Sequence, residues 1–286
     1  LTPSRQQRMV IETGFMTRLL CIALSGGALL FGLSVDLALL MLVQTRRLKP
    51  GMPVHPGLVR GPVGVVAVQL ALAAPLFFVL PTLFSAAQAE PVQARALLTG
   101  SLLYALLGGC VVAASLLYAR APFVPTFIGP RHAAWQASLK GLVFGLAALP
   151  PVAVLSQGIS VALNAFGLEQ QPQVVFQWLK DDSVPCGMRL GLIAAAVCIA
   201  PIVEEFVFRG ILFRALLRHR RFPYAALLSG AYFALVHLHA PSFLPLLALG
   251  VTFSAGYAAT GSILTPIVMH TLFNGVSLLV YFSGPG

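Results

Sequence analysis

Charge is what this sequence has least of. Only 9% of its 286 residues are charged and only eight of those are acidic, whereas an ordinary soluble domain carries about 25%. So few charges cannot hydrate the surface of a water-soluble fold. The 58% hydrophobic content and mean hydropathy of +0.89 exclude intrinsic disorder as well. Cysteine is also scarce. Cys21, Cys110, Cys186 and Cys198 show no CxxC spacing, which argues against a zinc knuckle or a disulfide framework. All but Cys186 sit in apolar runs, where they are expected to pack. No HExxH occurs, so the compact zinc-protease signature is missing, and there are neither internal repeats nor low-complexity tracts.

What the sequence does have is long apolar runs. A helix crosses the hydrocarbon core with about 20 apolar residues, and eight stretches meet that measure: about 19–43, 62–85, 96–119, 135–165, 188–217, 222–239, 242–260 and 263–282. The expected fold is all-α, a polytopic membrane bundle of about eight transmembrane helices. The first run is too long for a signal-peptide h-region and is followed by Arg46-Arg47-Leu48-Lys49 rather than a cleavage site. Pro150 and Pro151 predict a kink in the fourth. The most polar stretch, Glu169 to Arg189, reads as an extramembrane loop with room for a short surface helix.

A net charge of +10 would suggest nucleic acid in a soluble chain. Here the basic residues border apolar runs, so their role is topological and no nucleic-acid partner is expected. Arg46, Arg47, Lys49 and Arg60 follow the first span, Arg120, Arg131 and Lys140 border the third connection, and Arg214, Arg218, Arg220 and Arg221 follow the fifth span. Those loops are expected on the cytoplasmic side. The acidic loop after span four, and with it both termini, would then lie outside, although Arg5, Arg8 and Arg18 near the N-terminus oppose that placement. With no readable eukaryotic sorting signal, a bacterial cytoplasmic (inner) membrane is the expected location.

Ionisable groups inside a membrane are costly and mark function by default. They are few: Asp36 in span one, Glu204, Glu205 and Arg209 in span five, His237 and His239 in span six, and His270 in span eight. From Phe222 to Gly286 there is no Asp, Glu, Lys or Arg at all. Glu205 and Arg209 are spaced i, i+4 for an ion pair on one helix, and Glu204 points about 100° away, free to meet an imidazole. Asn274 shares a helix face with His270.

A carboxylate and a neutral imidazole can bind and deprotonate water, while an imidazole and an amide can donate to an oxygen gaining negative charge. Together they support water attack on a carbonyl. Glu204, His237 and His270 could instead hold a divalent metal such as zinc. Plainer roles compete. A lone membrane histidine commonly bonds another helix, and the Glu205–Arg209 pair needs no further role. Asp36 has no visible partner, and His239 lies beside a polar break and reads as interfacial.

Glu204-Glu205-Phe206-Val207-Phe208-Arg209, Phe233-Ala234-Leu235-Val236-His237 and His270-Thr271-Leu272-Phe273-Asn274 resemble the EExxxR, FxxxH and HxxxN motifs of the CPBP family. These are the CAAX proteases and bacteriocin-processing enzymes, also called the ABI family. The resemblance covers about Leu139 to the C-terminus, with the three motifs in family order. It divides the chain into three N-terminal spans outside the motifs, 1–133, and a five-span protease core, 134–286.

The resemblance implies an intramembrane endopeptidase acting on a membrane protein or lipid-anchored peptide. Glu204 would activate water with His237, His270 and Asn274 would form an oxyanion hole, and Glu205 and Arg209 would support the site. The family is often called metalloprotease, yet a metal-free glutamate mechanism is also proposed for some members, so the cofactor is either none or a divalent metal. Two other readings compete: a proton- or ligand-handling protein, against which no inverted repeat is found, and a non-proteolytic subunit docking partners through spans one to three.

Overall fold

The computed structural model describes residues 90–119, 123–129, 133–168 and 172–283. The first two expected spans, and Asp36 and Cys21 with them, lie outside the described residues. Among the described residues the fold is all-helical. It comprises α1 (Glu90–Ala119), α2 (Ala134–Ala165), α3 (Val174–Lys180), α4 (Cys186–His219), α5 (Phe222–Val236), α6 (Phe243–Thr260) and α7 (Leu264–Ser283). A short π-helical turn, Val124–Ile128, stands between α1 and α2, and a 3-10 turn, Ala240–Ser242, leads into α6.

Four of these helical segments are long and apolar enough to cross a membrane: Ala134–Ala165, Cys186–His219, Ala240–Thr260 and Leu264–Ser283. The other two expected spans are shorter as apolar helices, Leu98–Ala114 within α1 and Phe222–Val236. The latter stops short of its expected end because Leu238 takes a positive φ of 47° and turns the chain out of the helix. Helix α2 runs on through Pro150 and Pro151.

Large apolar side chains such as Leu139, Leu146, Leu190, Leu227 and Leu279 remain exposed. In water they would forfeit about 25 cal/mol per Å² of apolar area; lipid tails cover them without that cost. The protein is an integral membrane protein. The described cysteines Cys110, Cys186 and Cys198 are free and exposed, which corrects the expectation that Cys110 and Cys198 are packing residues.

Small residues let the helices close on one another, as packing between membrane helices requires. A Cβ at Gly250 of α6 would lie 2.6 Å from the Gly230 Cα of α5, and one at Gly141 of α2 would lie 2.6 Å from the Thr265 carbonyl oxygen of α7. The Thr265 hydroxyl also donates to the Ala137 carbonyl, at 3.0 Å. Helix α4 occupies the middle. Its stretch from Val207 to Arg214 is buried throughout and packs into the main apolar core with Phe233, Leu249, Phe253 and Tyr257.

Two π-helical turns, Ala195–Ile199 and Phe206–Phe213, interrupt the α-helical register of α4. The second begins directly after Glu205, and such bulges recur at functional sites. Helix α1 packs on this core through Val112 and Leu116, and α3 tucks Trp178 and Leu179 against Leu192 and Leu278. The short helix expected on the surface thus buries one face against α4 and α7.

Candidate active site

The three motif helices α4, α5 and α7 converge beside α6, and Glu204, Glu205, Arg209, His237 and His270 meet between them. Glu205 is the hub. Both its side chain and that of Arg209 are fully buried, and Arg209 Nη1 donates to Glu205 Oε1 at 2.8 Å, the i, i+4 pair expected from the sequence. His270 Nδ1 donates to the same oxygen at 2.9 Å. Arg209 is fixed further by Nη2, which donates to the Gly250 carbonyl at 2.9 Å. Its guanidinium also lies over the Phe233 and Phe253 rings, 4.8 and 5.2 Å from their centroids. A buried ion pair needs such added partners, because pairing alone roughly breaks even against the loss of hydration. Glu205 therefore does more than hold its own arginine: it orients an imidazole from another helix.

That orientation has a chemical consequence. With Nδ1 committed to Glu205, His270 turns Nε2 towards Glu204, whose Oε2 lies 3.8 Å away. A carboxylate fixing one imidazole nitrogen so that the other faces the chemistry is a general device for setting tautomer and orientation. Two groups 3.8 Å apart make no direct hydrogen bond, but a water or a carbonyl oxygen can bridge them. Glu204 is the more open of the two acids, with 18% of its side chain exposed. Glu204 Oε2, Glu205 Oε2 and Arg209 Nε are buried polar atoms with no partner among the described residues, and such atoms call for a water or a substrate group.

His237 caps the end of α5, and its Nδ1 donates to the Phe233 carbonyl at 2.7 Å. Its ring packs on Phe233 at 4.8 Å, and Glu204, His270 and Arg209 are all near enough to act on it electrostatically. No hydrogen bond joins it to Glu204 among the described residues. Leu238, next in the chain, holds the left-handed conformation noted above, which costs a non-glycine residue about 1–3 kcal/mol and clusters at functional sites. Asn274 Nδ2 donates to the Ala196 carbonyl at 2.8 Å, across to the first π-turn of α4. That bond leaves one amide hydrogen for another acceptor. His239 stands apart, bonded at Nδ1 to the Ser242 hydroxyl at 2.7 Å.

Sequence reasoning missed two contributors. Phe253 on α6 stacks on His270, with centroids 5.1 Å apart and planes at 29°, and the Gly250 carbonyl on the same helix holds Arg209. Neither residue type carries a signal, since a phenylalanine and a glycine in an apolar span read as packing.

The sequence pattern gives no sign of a second buried cation. Arg214, counted with the cytoplasmic loop, is only 6% exposed inside α4. It donates to the Tyr257 hydroxyl through Nε and Nη2 and to the Thr126 carbonyl at 2.6 Å, and it lies over the Phe127 ring.

Among the described residues no three His, Cys, Asp or Glu side chains converge as a metal-ligand group. Nδ1 of His237 and of His270 is engaged by a carbonyl and a carboxylate respectively, which leaves Nε2 of each for water, substrate or metal.

Residues 187–276 match the family model described as "Type II CAAX prenyl endopeptidase Rce1-like". The chain is also 34% identical over 127 residues to the "Putative membrane peptidase YdiL" of Bacillus subtilis (strain 168), an overlap of 43% of this chain and 50% of the relative. The chain thus spans about half the length of the curated relative it matches. No solved structure matches it significantly. The segment that resembles this family model holds Glu204, Glu205, Arg209, His237, His270 and Asn274, the same residues that carry the resemblance to the CPBP motifs.

Proposed function

We propose that this chain is an intramembrane endopeptidase that hydrolyses a peptide bond in a membrane-associated protein or lipid-anchored peptide with a glutamate-activated water. The observation that carries the reading is the pairing of Glu204, partly open, with the Nε2 edge of a histidine whose Nδ1 is fixed by Glu205.

The chemistry runs from the residues. Glu204 takes a proton from a water lying between it and the scissile carbonyl, with His237 beside it as the second group on that water. The water oxygen bonds to the carbonyl carbon, and the carbonyl oxygen becomes an oxyanion. In this step His270 Nε2 carries the hydrogen that it offers to the oxyanion. It and the free amide hydrogen of Asn274 donate to that oxyanion, in a setting where fixed donors are worth more than in water. Collapse of the intermediate breaks the C–N bond, and Glu204 returns its proton to the leaving amine. Arg209 holds Glu205 in place, so the acid that orients His270 does not compete for the water. The reading is taken in its metal-free form, with Glu204 as the base that activates the water.

The test compares the membrane peptidome of cells carrying the wild type with that of cells carrying Glu204→Gln. Loss of a general base costs about 10²–10⁴-fold in rate, so the substrate should accumulate uncleaved in the variant, while a strong chelator applied to wild-type membranes should leave cleavage unchanged. Undiminished cleavage in Glu204→Gln would sink the assignment and favour a proton- or ligand-handling role. Abolition by the chelator, reversed by zinc, would sink its metal-free form.

A further inference from the structure

Resting on the endopeptidase reading, we propose that Phe253, which lies outside all three sequence motifs, is a positioning residue: its ring sets the plane of His270 so that Nε2 stays turned to Glu204. The hydrogen bond from Nδ1 to Glu205 sets the tautomer and one edge of the imidazole but still allows the ring plane to rock about the Cβ–Cγ bond. The Phe253 face removes that freedom. Its ring is 1% exposed and lies nearly parallel to the imidazole, at 5.1 Å and 29°. On the other side of the imidazole's contacts, Phe233 meets His270 edge-on at 5.5 Å and 81°, so the ring is held by one face and one edge.

The same phenyl ring also lies under the Arg209 guanidinium, 5.2 Å from its centroid, an attraction of cation to ring face. Phe253 thereby touches two of the three groups of the Glu205 hub. Its neighbour one turn earlier, Gly250, supplies the carbonyl that holds Arg209 Nη2. Helix α6 thus contributes a carbonyl and an aromatic face to a cluster whose ionisable groups all come from other helices, and the Gly230–Gly250 crossing brings α6 close enough to do so.

Nitrogen-15 spectra of ring-labelled histidine in the full chain, reconstituted in lipid nanodiscs, read the imidazole directly, with His270 signals assigned by their loss in His270→Gln. Phe253→Leu keeps an apolar side chain but removes the ring, and should shift or average the His270 Nδ1 and Nε2 signals. Phe253→Met serves if the leucine variant does not assemble. Phe253→Tyr retains the aromatic face and should return the wild-type pattern.

In the same particles, turnover of a farnesylated, internally quenched peptide ending in a CAAX sequence should fall about 10- to 100-fold in kcat for Phe253→Leu. KM should stay within about twofold, and kcat should recover in Phe253→Tyr. Unchanged His270 signals in the leucine and methionine variants overturn the proposal. So does equal perturbation in the tyrosine variant, which would mean the side chain only fills space. Cleavage surviving in Glu204→Gln would instead defeat the catalytic reading, while the spectra would still decide whether Phe253 positions His270.

Discussion

Two buried arginines stand five residues apart on α4, and the protein treats them differently. Arg209 meets a carboxylate, a carbonyl and two aromatic faces, and its carboxylate partner also grips a histidine from a distant helix. Arg214 meets a tyrosine hydroxyl, the carbonyl of Thr126 and the ring of Phe127. The first arrangement places an ion pair where it orients an imidazole facing an open acid. The second ties the short turn between α1 and α2 into the core, where Phe127 is fully buried and its carbonyl accepts the Ile263 amide at 2.7 Å. A buried cation in a membrane protein is therefore no sign of chemistry by itself. What separates the two is whether the partner of the cation has a second task.

Substitutions can break or sharpen that contrast. Arg209→Met should have the largest effect, since it leaves Glu205 buried without its cation, a loss of about 3–5 kcal/mol. Unfolding in detergent should show it, and cleavage should fall with it. The double variant Glu205→Gln with Arg209→Met should recover part of the stability but not the activity, because His270 then lacks its charged anchor.

Gly250→Ala comes next. Its new methyl would press on the Gly230 backbone and shift the carbonyl that holds Arg209, costing about 1–3 kcal/mol and lowering cleavage more than packing alone would require. Tyr257→Phe should be the mildest for cleavage, though it costs about 1.5–3 kcal/mol of stability by removing an acceptor from a charged group. Cleavage should be near the wild-type rate and hydrogen exchange faster in residues 123–129. A Tyr257→Phe variant that lost cleavage as severely as Arg209→Met would erase the distinction between the two arginines.

Much of this was legible in the chain before any folding. The i, i+4 spacing of Glu205 and Arg209 produced the ion pair expected, because that interaction is local to one helix and survives the π-turn that starts just beyond it. Helix positions from Ala134 onward fell within a few residues of the apolar runs, as hydropathy and length fix where a helix can sit in lipid. The burial of Arg214 within α4 was not legible, for an equally physical reason. A cation near the end of an apolar run looks interfacial unless one knows which side chains of other helices stand ready to receive it.

Sequence alone determined that the chain lives in a membrane, that it is helical, and which few polar residues could carry chemistry there, because scarcity of charge is a property of composition and helical spacing is a property of the backbone. Tertiary structure decided how those residues are divided. It gave Glu205 to both Arg209 and His270, left Glu204 partly open opposite Nε2, and brought Phe253 and the Gly250 carbonyl in from a helix with no motif. Those outcomes depend on groups far apart in sequence coming within hydrogen-bond or ring-contact distance, and no pattern along one strand of chain encodes which helix will arrive beside which.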